Sequence, residues 1–214
     1  RATDISGNSS TCEQNIYFQR ATLADFVFPL NRDDIQAPAL LCGNPNISPA
    51  NTGWPTVDGN PIGGFCDLIA TYTDQSSSMC QGNLTILRTW TVLDMCSGIS
   101  TSKLQVIKVL DKQGPSLTCP TDPEHQIVIL NYLSGPQYNG CLAVVKFPAI
   151  QVNDNCSSYA NIDFLLYTEI NGFLYSIPSN GGNLVLPLGT HTFYYKATDD
   201  CGNSNFCSFE FTIE

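Results

Sequence analysis

The chain has 214 residues, a length typical of one or two domains. Only 13% of the residues are charged and the formal net charge is −10, which argues against long charged helices and against nucleic acid as a partner. No run of eighteen apolar residues occurs, so the sequence predicts no membrane insertion of this segment.

The beginning of the chain repeats its end. Residues Arg1 to Cys12 align without gaps to Lys196 to Cys207, with Ala-Thr-Asp, Gly-Asn-Ser and the final Cys identical. A weaker third copy runs from Thr91 to Gly98, and there Ser102 takes the place of the last cysteine. We predict that residues 1–19 are the closing strand arm of a preceding repeat.

A second match divides the rest of the chain. The spacing D-x-Q-x-P-x-L-x-C runs from Asp34 to Cys42 and recurs from Asp111 to Cys119. Independent matches in the same order indicate an array of similar units. We therefore predict one repeat over residues 20–112 and another over residues 113–214, joined near Asp111.

Apolar and polar residues alternate wherever a period can be identified. From Cys207 to Ile213 the alternation is strict, which predicts a half-buried strand. Trp90 and Tyr195 fall at matching positions of the two repeats and are predicted core aromatics. Asn171-Gly172 predicts a tight hairpin turn. About seven short strands per repeat predict an all-β fold of tandem β-sandwiches.

Three segments resemble a known family. Tyr195-Lys-Ala-Thr-Asp-Asp-Cys-Gly-Asn203, followed by Cys207-Ser-Phe209, resembles the closing signature of the hyalin repeat, an immunoglobulin-like extracellular module. Cys119-Pro120 and Asp154-Asn155-Cys156 match its other landmarks. The segment from Arg88 to Cys96 is similar to the related repeat of giant surface proteins of gliding and predatory filamentous bacteria. The resemblance implies tandem immunoglobulin-like domains on the cell surface, export by a type IX route, and no catalytic residues.

Cysteine usage places the protein in an oxidising compartment. The chain has ten Cys but only two His, and no C-x-x-C pair. This composition favours disulfide bonds over zinc or redox chemistry. Together with the resemblance, it predicts a secreted protein at the cell surface.

The resemblance also implies which cysteines pair. In an immunoglobulin-like sandwich, cysteines that follow the second and the penultimate strand lie at the same end of the domain. The pairings implied are Cys156–Cys201, Cys66–Cys96, Cys42–Cys80, and Cys119 with either Cys207 or Cys141. Cys12 and one cysteine of the last repeat are then left over. They form a bond between units or between chains, or they are two free, buried thiols.

Paired aspartates are candidate ligands for calcium. Hard carboxylate oxygens at a joint between domains bind Ca²⁺, although the spacing here matches no EF-hand loop. The candidates are Asp33, Asp34, Asp111, Asp199 and Asp200, with Asp94 and Asp154 nearby in the pattern. The alternative is that these side chains cap turns by bonding their own backbone.

The sequence gives little support for catalysis. His125 and His191 lie in different strand contexts without a third zinc ligand, and no G-x-S-x-G elbow or phosphate-binding loop occurs. A distant carboxylate pair for glycoside hydrolysis stays open. We expect a protein that is not an enzyme and has no cofactor other than calcium.

Two functions from different classes remain. The first is a structural or adhesive module whose partners are neighbouring repeats or identical chains in a filament, with residues 1–19 inserting by strand addition. The alternative is an accessory module that binds a surface glycan, carbohydrate or protein ligand within a larger secreted protein. Trp54, Tyr138 and Tyr159 are the candidate exposed aromatics for this second function.

Overall fold

A computed structural model describes residues 1–16, 20–63, 68–135 and 140–214. Strands make up 52% of it and helices 5%, which confirms the predicted all-β class. Within the described ranges, no helix is long and apolar enough to cross a membrane. The immunoglobulin-like arrangement of the strands stays a prediction.

The first half of the chain holds short strands followed by three long ones. Its strands are β1 (Ala2–Thr3), β2 (Ser9–Ser10), β3 (Phe26–Val27), β4 (Leu40–Leu41), β5 (Thr56–Val57), β6 (Asn60–Pro61), β7 (Leu68–Cys80), β8 (Asn83–Asp94) and β9 (Ser100–Leu110). A short helix α1 (Pro49–Thr52) lies between β4 and β5. The sheets have the strand orders β1-β2, β3-β5-β6 and β4-β9-β8-β7, and the β4–β9 pair is parallel.

The second half is built from nine strands. They are β10 (Ser116–Thr118), β11 (Val128–Leu133), β12 (Leu142–Phe147), β13 (Gln151–Asn153), β14 (Asp163–Ile170), β15 (Phe173–Ile177), β16 (Gly182–Pro187), β17 (Gly189–Thr198) and β18 (Ser204–Ile213). A short helix α2 (Pro123–Gln126) and a 3₁₀ turn (Tyr159–Asn161) connect them. The sheets have the strand orders β10-β13, β11-β12-β16 and β15-β14-β17-β18, all antiparallel.

The chain packs into two compact units. Unit 1 contains residues 1–29, 53–73 and 89–103, and unit 2 contains residues 30–52, 74–88 and 104–214. The predicted repeat 20–112 therefore contributes residues to both units. The repeat boundaries themselves were defined from sequence similarity, and they stay a prediction.

Unit 2 has one large core between two sheets. Inward side chains of β12 and β16 meet those of β14, β17 and β18 in a single cluster that includes Phe147, Leu186, Phe193 and Tyr195. Phe193 and Tyr195 are 0% and 1% exposed, so the core aromatic predicted at Tyr195 is confirmed. The alternation predicted along β18 is also confirmed, because its inward residues, Cys207, Phe209, Phe211 and Ile213, all pack against this core.

Unit 1 has a smaller core built around a tryptophan. Trp90 is fully buried, as predicted, and packs edge-on against Trp54 with the ring centroids 5.0 Å apart. The ring centroid of Tyr72 also lies 5.0 Å from that of Trp90. The indole N–H of Trp54 donates a 2.8 Å hydrogen bond to the Ile62 carbonyl. The prediction that Trp54 is an exposed aromatic is therefore wrong, because its ring completes this core.

Unit 2 also buries a charge that the pattern did not predict. In the alignment that places Trp90 at the position of Tyr195, Arg88 takes the position of Phe193. Arg88 is 1% exposed, and its Nε and Nη2 donate to the two carboxylate oxygens of Asp74, both at 2.8 Å. Thr52 Oγ1 accepts another bond at 2.9 Å. A buried guanidinium requires such a full set of partners, since desolvating an unpaired charge is costly.

The match between the two ends of the sequence is also a match of turn geometry. In the β1–β2 turn, Asn8 donates from its backbone N and its side-chain Nδ2 to the two carboxylate oxygens of Asp4, both at 2.9 Å. In the β17–β18 turn, Asn203 makes the same two bonds to Asp199, at 2.8 and 3.0 Å. The β8–β9 turn closes on the backbone of Asp94 in a similar way. Each turn also has a glycine at positive φ, which is Gly7, Gly98 or Gly202.

Candidate functional site

Two disulfides join the two predicted repeats. The structure contains Cys42–Cys156, Cys80–Cys201 and Cys119–Cys207, with Cα–Cα distances of 5.8, 5.3 and 5.7 Å. The predicted pairs Cys156–Cys201 and Cys42–Cys80 are wrong. The prediction assumed that partners lie within one repeat. In unit 2, however, the β7–β8 turn and the segment after β4 each reach a loop of residues 113–214.

The remaining cysteines divide into three groups. Cys119 is bonded to Cys207, which is one of the two alternatives that the resemblance implied. Cys12 and Cys141 are exposed and form no disulfide with any described residue, so the prediction of two buried thiols is wrong. Cys66 lies outside the described residues, and its pairing with Cys96 stays a prediction.

The β7–β8 turn is held in unit 2 by hydrogen bonds from one glutamine. The backbone N of Gln81 donates to Asp200 Oδ2 at 2.8 Å. Its side-chain Oε1 accepts from the backbone N of Ser158 at 2.6 Å and from Asn161 Nδ2 at 2.9 Å. Cys80, the residue before Gln81, is therefore positioned to form its bond with Cys201.

The next residue of this turn must be a glycine. Gly82 has a φ of +103°, a conformation that side chains rarely adopt. A Cβ at this position would lie 2.7 Å from the Cβ of Cys156 and 3.2 Å from that of Asp111. The close approach places the turn directly against one disulfide and one buried carboxylate.

Asp111 lies between the two inter-repeat disulfides. One of its carboxylate oxygens lies within 4.8 Å of the sulfurs of Cys42 and Cys156, and one lies within 4.8 Å of the Cys201 sulfur and an Asp199 oxygen. Asp111 is only 6% exposed. Its Oδ1 accepts from the backbone N of Gln113 at 3.1 Å, but its Oδ2 is buried and has no hydrogen-bond partner among the described residues.

Two further aspartates are near enough to Asp111 for their charges to act on it, and each stands two residues before a disulfide cysteine. Asp199 is 3% exposed. Asp154 Oδ1 accepts from the backbone N of Cys156 at 2.8 Å and of Ser157 at 2.6 Å, while its Oδ2 is buried without a partner in the described part of the chain. We call Asp111, Asp154 and Asp199 the carboxylate cluster.

The cluster changes the proton affinity of its central member. Burial raises the pKa of Asp111 above the ordinary value of 3.8, and the negative charges of Asp154 and Asp199 raise it further. A buried carboxylate beside like charges favours a proton or a cation. The cluster is therefore electrostatically suited to bind a positive ion.

Only two of the five predicted calcium ligands belong to this cluster. Asp111 and Asp199 come together. Asp33 Oδ1 instead accepts two backbone bonds of its own turn, and Asp34 pairs with Lys112 at 2.6 Å. Asp200 accepts from Gln81 and Ser157. Asp154 was noted near the predicted ligands but was not included among them. It shares the spacing Asp-x-Cys with Asp199, and this shared spacing was the signal that could have added it to the set.

The two histidines have separate local partners. His125 Nδ1 lies 2.9 Å from Asp122 Oδ1, and this hydrogen bond raises the pKa of His125. His191 Nε2 lies 3.0 Å from the Pro187 carbonyl oxygen. Neither histidine belongs to a group of potential metal ligands within the described ranges.

An aromatic face lies on the outer side of the β14–β17–β18 sheet. Tyr167 and Tyr194 stack across neighbouring strands with ring centroids 5.0 Å apart, and Phe206, which is 66% exposed, lies 6.2 Å from Tyr194. The three rings border an open groove of about 800 Å³ that also includes Glu169 and His191. Outward positions alternate with core positions along β17, and this alternation was the signal that could have identified Tyr194.

The aromatics predicted to contact a ligand lie elsewhere. Tyr159 is 57% exposed, but its ring packs 5.3 Å from Phe164 and its hydroxyl accepts a bond from Asn180 Nδ2 at 2.9 Å. Tyr138 lies outside the described residues. The outer face of the sheet is therefore the better-supported aromatic surface of unit 2.

Comparison of the chain with protein-family models finds no match, and comparison with curated protein sequences finds none either.

Proposed function

We propose that the chain is a structural and adhesive repeat module of an extracellular surface protein or filament, with no catalytic role. The observation that carries the proposal is the pair of disulfides Cys42–Cys156 and Cys80–Cys201, which couple the two predicted repeats covalently. Three disulfides indicate an oxidising, extracellular setting. The resemblance to hyalin repeats supports placement at the cell surface.

The disulfides suit a module that bears tension. Their loops span sequence separations of 114 and 121 residues, and they overlap from residue 81 to residue 155. Either bond alone therefore prevents this overlapping segment from being extended when the chain is pulled from both ends. Such redundancy is useful in a stalk or filament, because loss of one bond leaves the segment protected.

Single-molecule stretching tests this proposal. Fully extending the 121-residue segment closed by Cys80–Cys201 would add about 40 nm of contour length. We expect the reduced chain to release about that much more length than the oxidised chain. The double variant Cys80→Ser/Cys201→Ser is the matched control, and it should behave almost as the oxidised chain does because Cys42–Cys156 remains. Equal lengths for oxidised and reduced chains would contradict the proposal.

Neighbouring repeats or identical chains are the proposed partners. All of residues 1–16 are exposed, and their hairpin has the turn geometry of the β17–β18 hairpin. In unit 2 that second hairpin packs against residues of β12 and β16 in the core, and Cys207 is bonded to Cys119. We infer that the first hairpin completes a sheet supplied by neighbouring sequence or by another chain, with Cys12 available for the equivalent bond.

Non-reducing electrophoresis of the secreted protein tests this partner. We expect a disulfide-linked species that disappears in Cys12→Ser and persists in Cys141→Ser, since both cysteines are exposed but only Cys12 lies on the hairpin. A linked species that survives Cys12→Ser, or no linked species at any concentration, would count against this role of the hairpin.

A second candidate function is carbohydrate binding at the aromatic face. Stacked, partly exposed rings beside a carboxylate provide apolar contact for a sugar ring and acceptors for its hydroxyls. A glycan array would show saturable binding that Tyr194→Ala abolishes and Tyr159→Ala retains. No saturable binding to any glycan would leave the structural module as the sole candidate.

A further inference from the structure

The carboxylate cluster lacks a compensating positive charge. Asp111, Asp154 and Asp199 form no ion pair with any Lys, Arg or His among the residues described. Lys112 follows Asp111 directly, but its Nζ is 2.6 Å from Asp34. Two of the three carboxylates also have a buried Oδ2 that no described residue hydrogen-bonds. Buried charges in proteins are normally paired or coordinated to a metal.

A comparison within the chain shows what is missing. Asp94 occupies the position of Asp199 in the third copy of the repeated segment, and it is also buried. Its Oδ2 accepts a 2.9 Å bond from Arg20, which neutralises its charge. At the corresponding place in unit 2, Asp199 has Asp111 as its neighbour instead of an arginine. Both turns close on the backbone of their aspartate, but Asp94 has an arginine as its counter-charge whereas Asp199 has another carboxylate beside it.

We propose that Asp111, Asp154 and Asp199 bind one Ca²⁺ ion. We assign as direct ligands the Oδ2 atoms of Asp111 and Asp154, which have no hydrogen-bond partner among the described residues. An Asp199 oxygen lies within 4.8 Å of an Asp111 oxygen. The donor set is entirely carboxylate oxygen, since the nearby sulfurs are engaged in disulfides, and this chemistry suits Ca²⁺ rather than zinc or copper. Mg²⁺ demands octahedral geometry and retains several waters, so it suits buried oxygens less well.

Calcium at this position would add a third tie between the predicted repeats. Asp111 belongs to the repeat 20–112, whereas Asp154 and Asp199 belong to the repeat 113–214. Extracellular modules bind Ca²⁺ with dissociation constants of about 10⁻⁴–10⁻³ M, which matches the concentrations available outside cells. The site does not depend on the adhesive function, and a module with any other role would contain it equally.

Calorimetry and thermal unfolding of the oxidised, chelator-treated protein test the proposal. We expect CaCl₂ to bind with one ion per chain and to raise the Tm by roughly 5 °C when it is in large excess over the dissociation constant. MgCl₂ at the same concentration should produce a smaller shift. No change of Tm with calcium, or an equal shift with both salts, would overturn the proposal.

Three variants separate binding from folding. Asp111→Asn and Asp154→Asn retain the Oδ1 that accepts the local backbone bonds but remove a negative ligand. Both variants should fold. In chelator their Tm should be no lower than that of the wild type, and calcium should no longer raise it. Glu210→Gln removes an exposed acid of the same unit and should retain it. If Asp111→Asn does not fold, the calcium response of Asp154→Asn tests the site. A normal response in the folded ligand variants, or its loss in Glu210→Gln, would overturn the site.

Discussion

Unit 1 and unit 2 are stabilised by different means. Among the described residues, unit 2 has a core cluster of eleven buried residues and three disulfides, whereas the core of unit 1 has five buried residues grouped around Trp90. A small core depends on a few large side chains, because each contributes a large share of the buried apolar area. The difference teaches that unit 2 is vulnerable to reduction of its disulfides, whereas unit 1 is vulnerable to the loss of a single aromatic ring.

The two tryptophans make this comparison measurable. Trp54 and Trp90, the only tryptophans of the chain, both belong to unit 1. Tryptophan fluorescence therefore reports the unfolding of unit 1, while far-ultraviolet circular dichroism reports both units.

Reduction should have the largest effect, and it should fall on unit 2. Closing a loop of about 100 residues stabilises a protein by about 4–5 kcal/mol in the chain-entropy model. We expect reductant to shift the dichroism transition in a denaturant titration strongly and the fluorescence transition much less. The variant Cys119→Ser/Cys207→Ser should show part of the same shift. If both probes moved together on reduction, reduction would not act mainly through the three described disulfides of unit 2, and the comparison would fail.

Replacement of Trp90 should have the opposite pattern to reduction, with unit 1 destabilised and unit 2 little affected. Trp90→Ala removes the centre of the unit 1 core and should cost about 3–5 kcal/mol of unfolding free energy. Trp54 remains as the fluorescent probe. Trp90→Phe, the control, retains a ring and should cost less. Equal destabilisation by the two substitutions, or a dichroism transition of unit 2 that moves as far as the fluorescence transition, would contradict the comparison.

Gly82 tests how far unit 2 depends on one turn. Gly82→Ala forces an alanine to adopt a positive φ and places its Cβ 2.7 Å from the Cβ of Cys156. We expect the free energy of unfolding to fall by about 1–3 kcal/mol. Gly172→Ala is the matched control, because Gly172 has a φ of +80° with no atom within 4 Å of the added Cβ. The difference between the two variants isolates the contact. A cost for Gly82→Ala no greater than that for Gly172→Ala would show that the turn is not closely packed.

The smallest expected effect is an acid sensitivity of unit 1. The backbone N–H of Cys96, aided by the charge of Arg20, lowers the pKa of Asp94 below the ordinary 3.8. Because the pKa of Asp94 is lower in the folded state than in the unfolded state, its ionised form stabilises the folded state at pH values above the unfolded pKa of about 3.8. This stabilisation is lost as the pH falls from there through the lower folded pKa. Fluorescence-detected unfolding at several pH values should show this loss. Asp94→Asn should show a shallower decline, and parallel curves would rule out the contribution of Asp94.

Much of the local structure could be predicted because its causes are local. Alternation along β18 identifies the buried face, since side chains of a strand point in turn to opposite sides. Asn171-Gly172 forms the predicted turn because both residues accept positive φ, here 53° and 80°. The buried Arg88 was not predictable in the same way. Its partners Asp74 and Thr52 lie 14 and 36 residues away in the chain.

The sequence by itself determined the all-β class, the match between the two ends of the chain and the core aromatics Trp90 and Tyr195. Only the tertiary structure decided which cysteines pair and which carboxylates meet. The physical reason is range: strand period and turn chemistry act over a few residues, whereas Cys80 and Cys201 are 121 residues apart and meet only because folded loops bring them together. The buried Oδ2 of Asp111, which has no hydrogen-bond partner in the described part of the chain, could be identified only from the structure for the same reason.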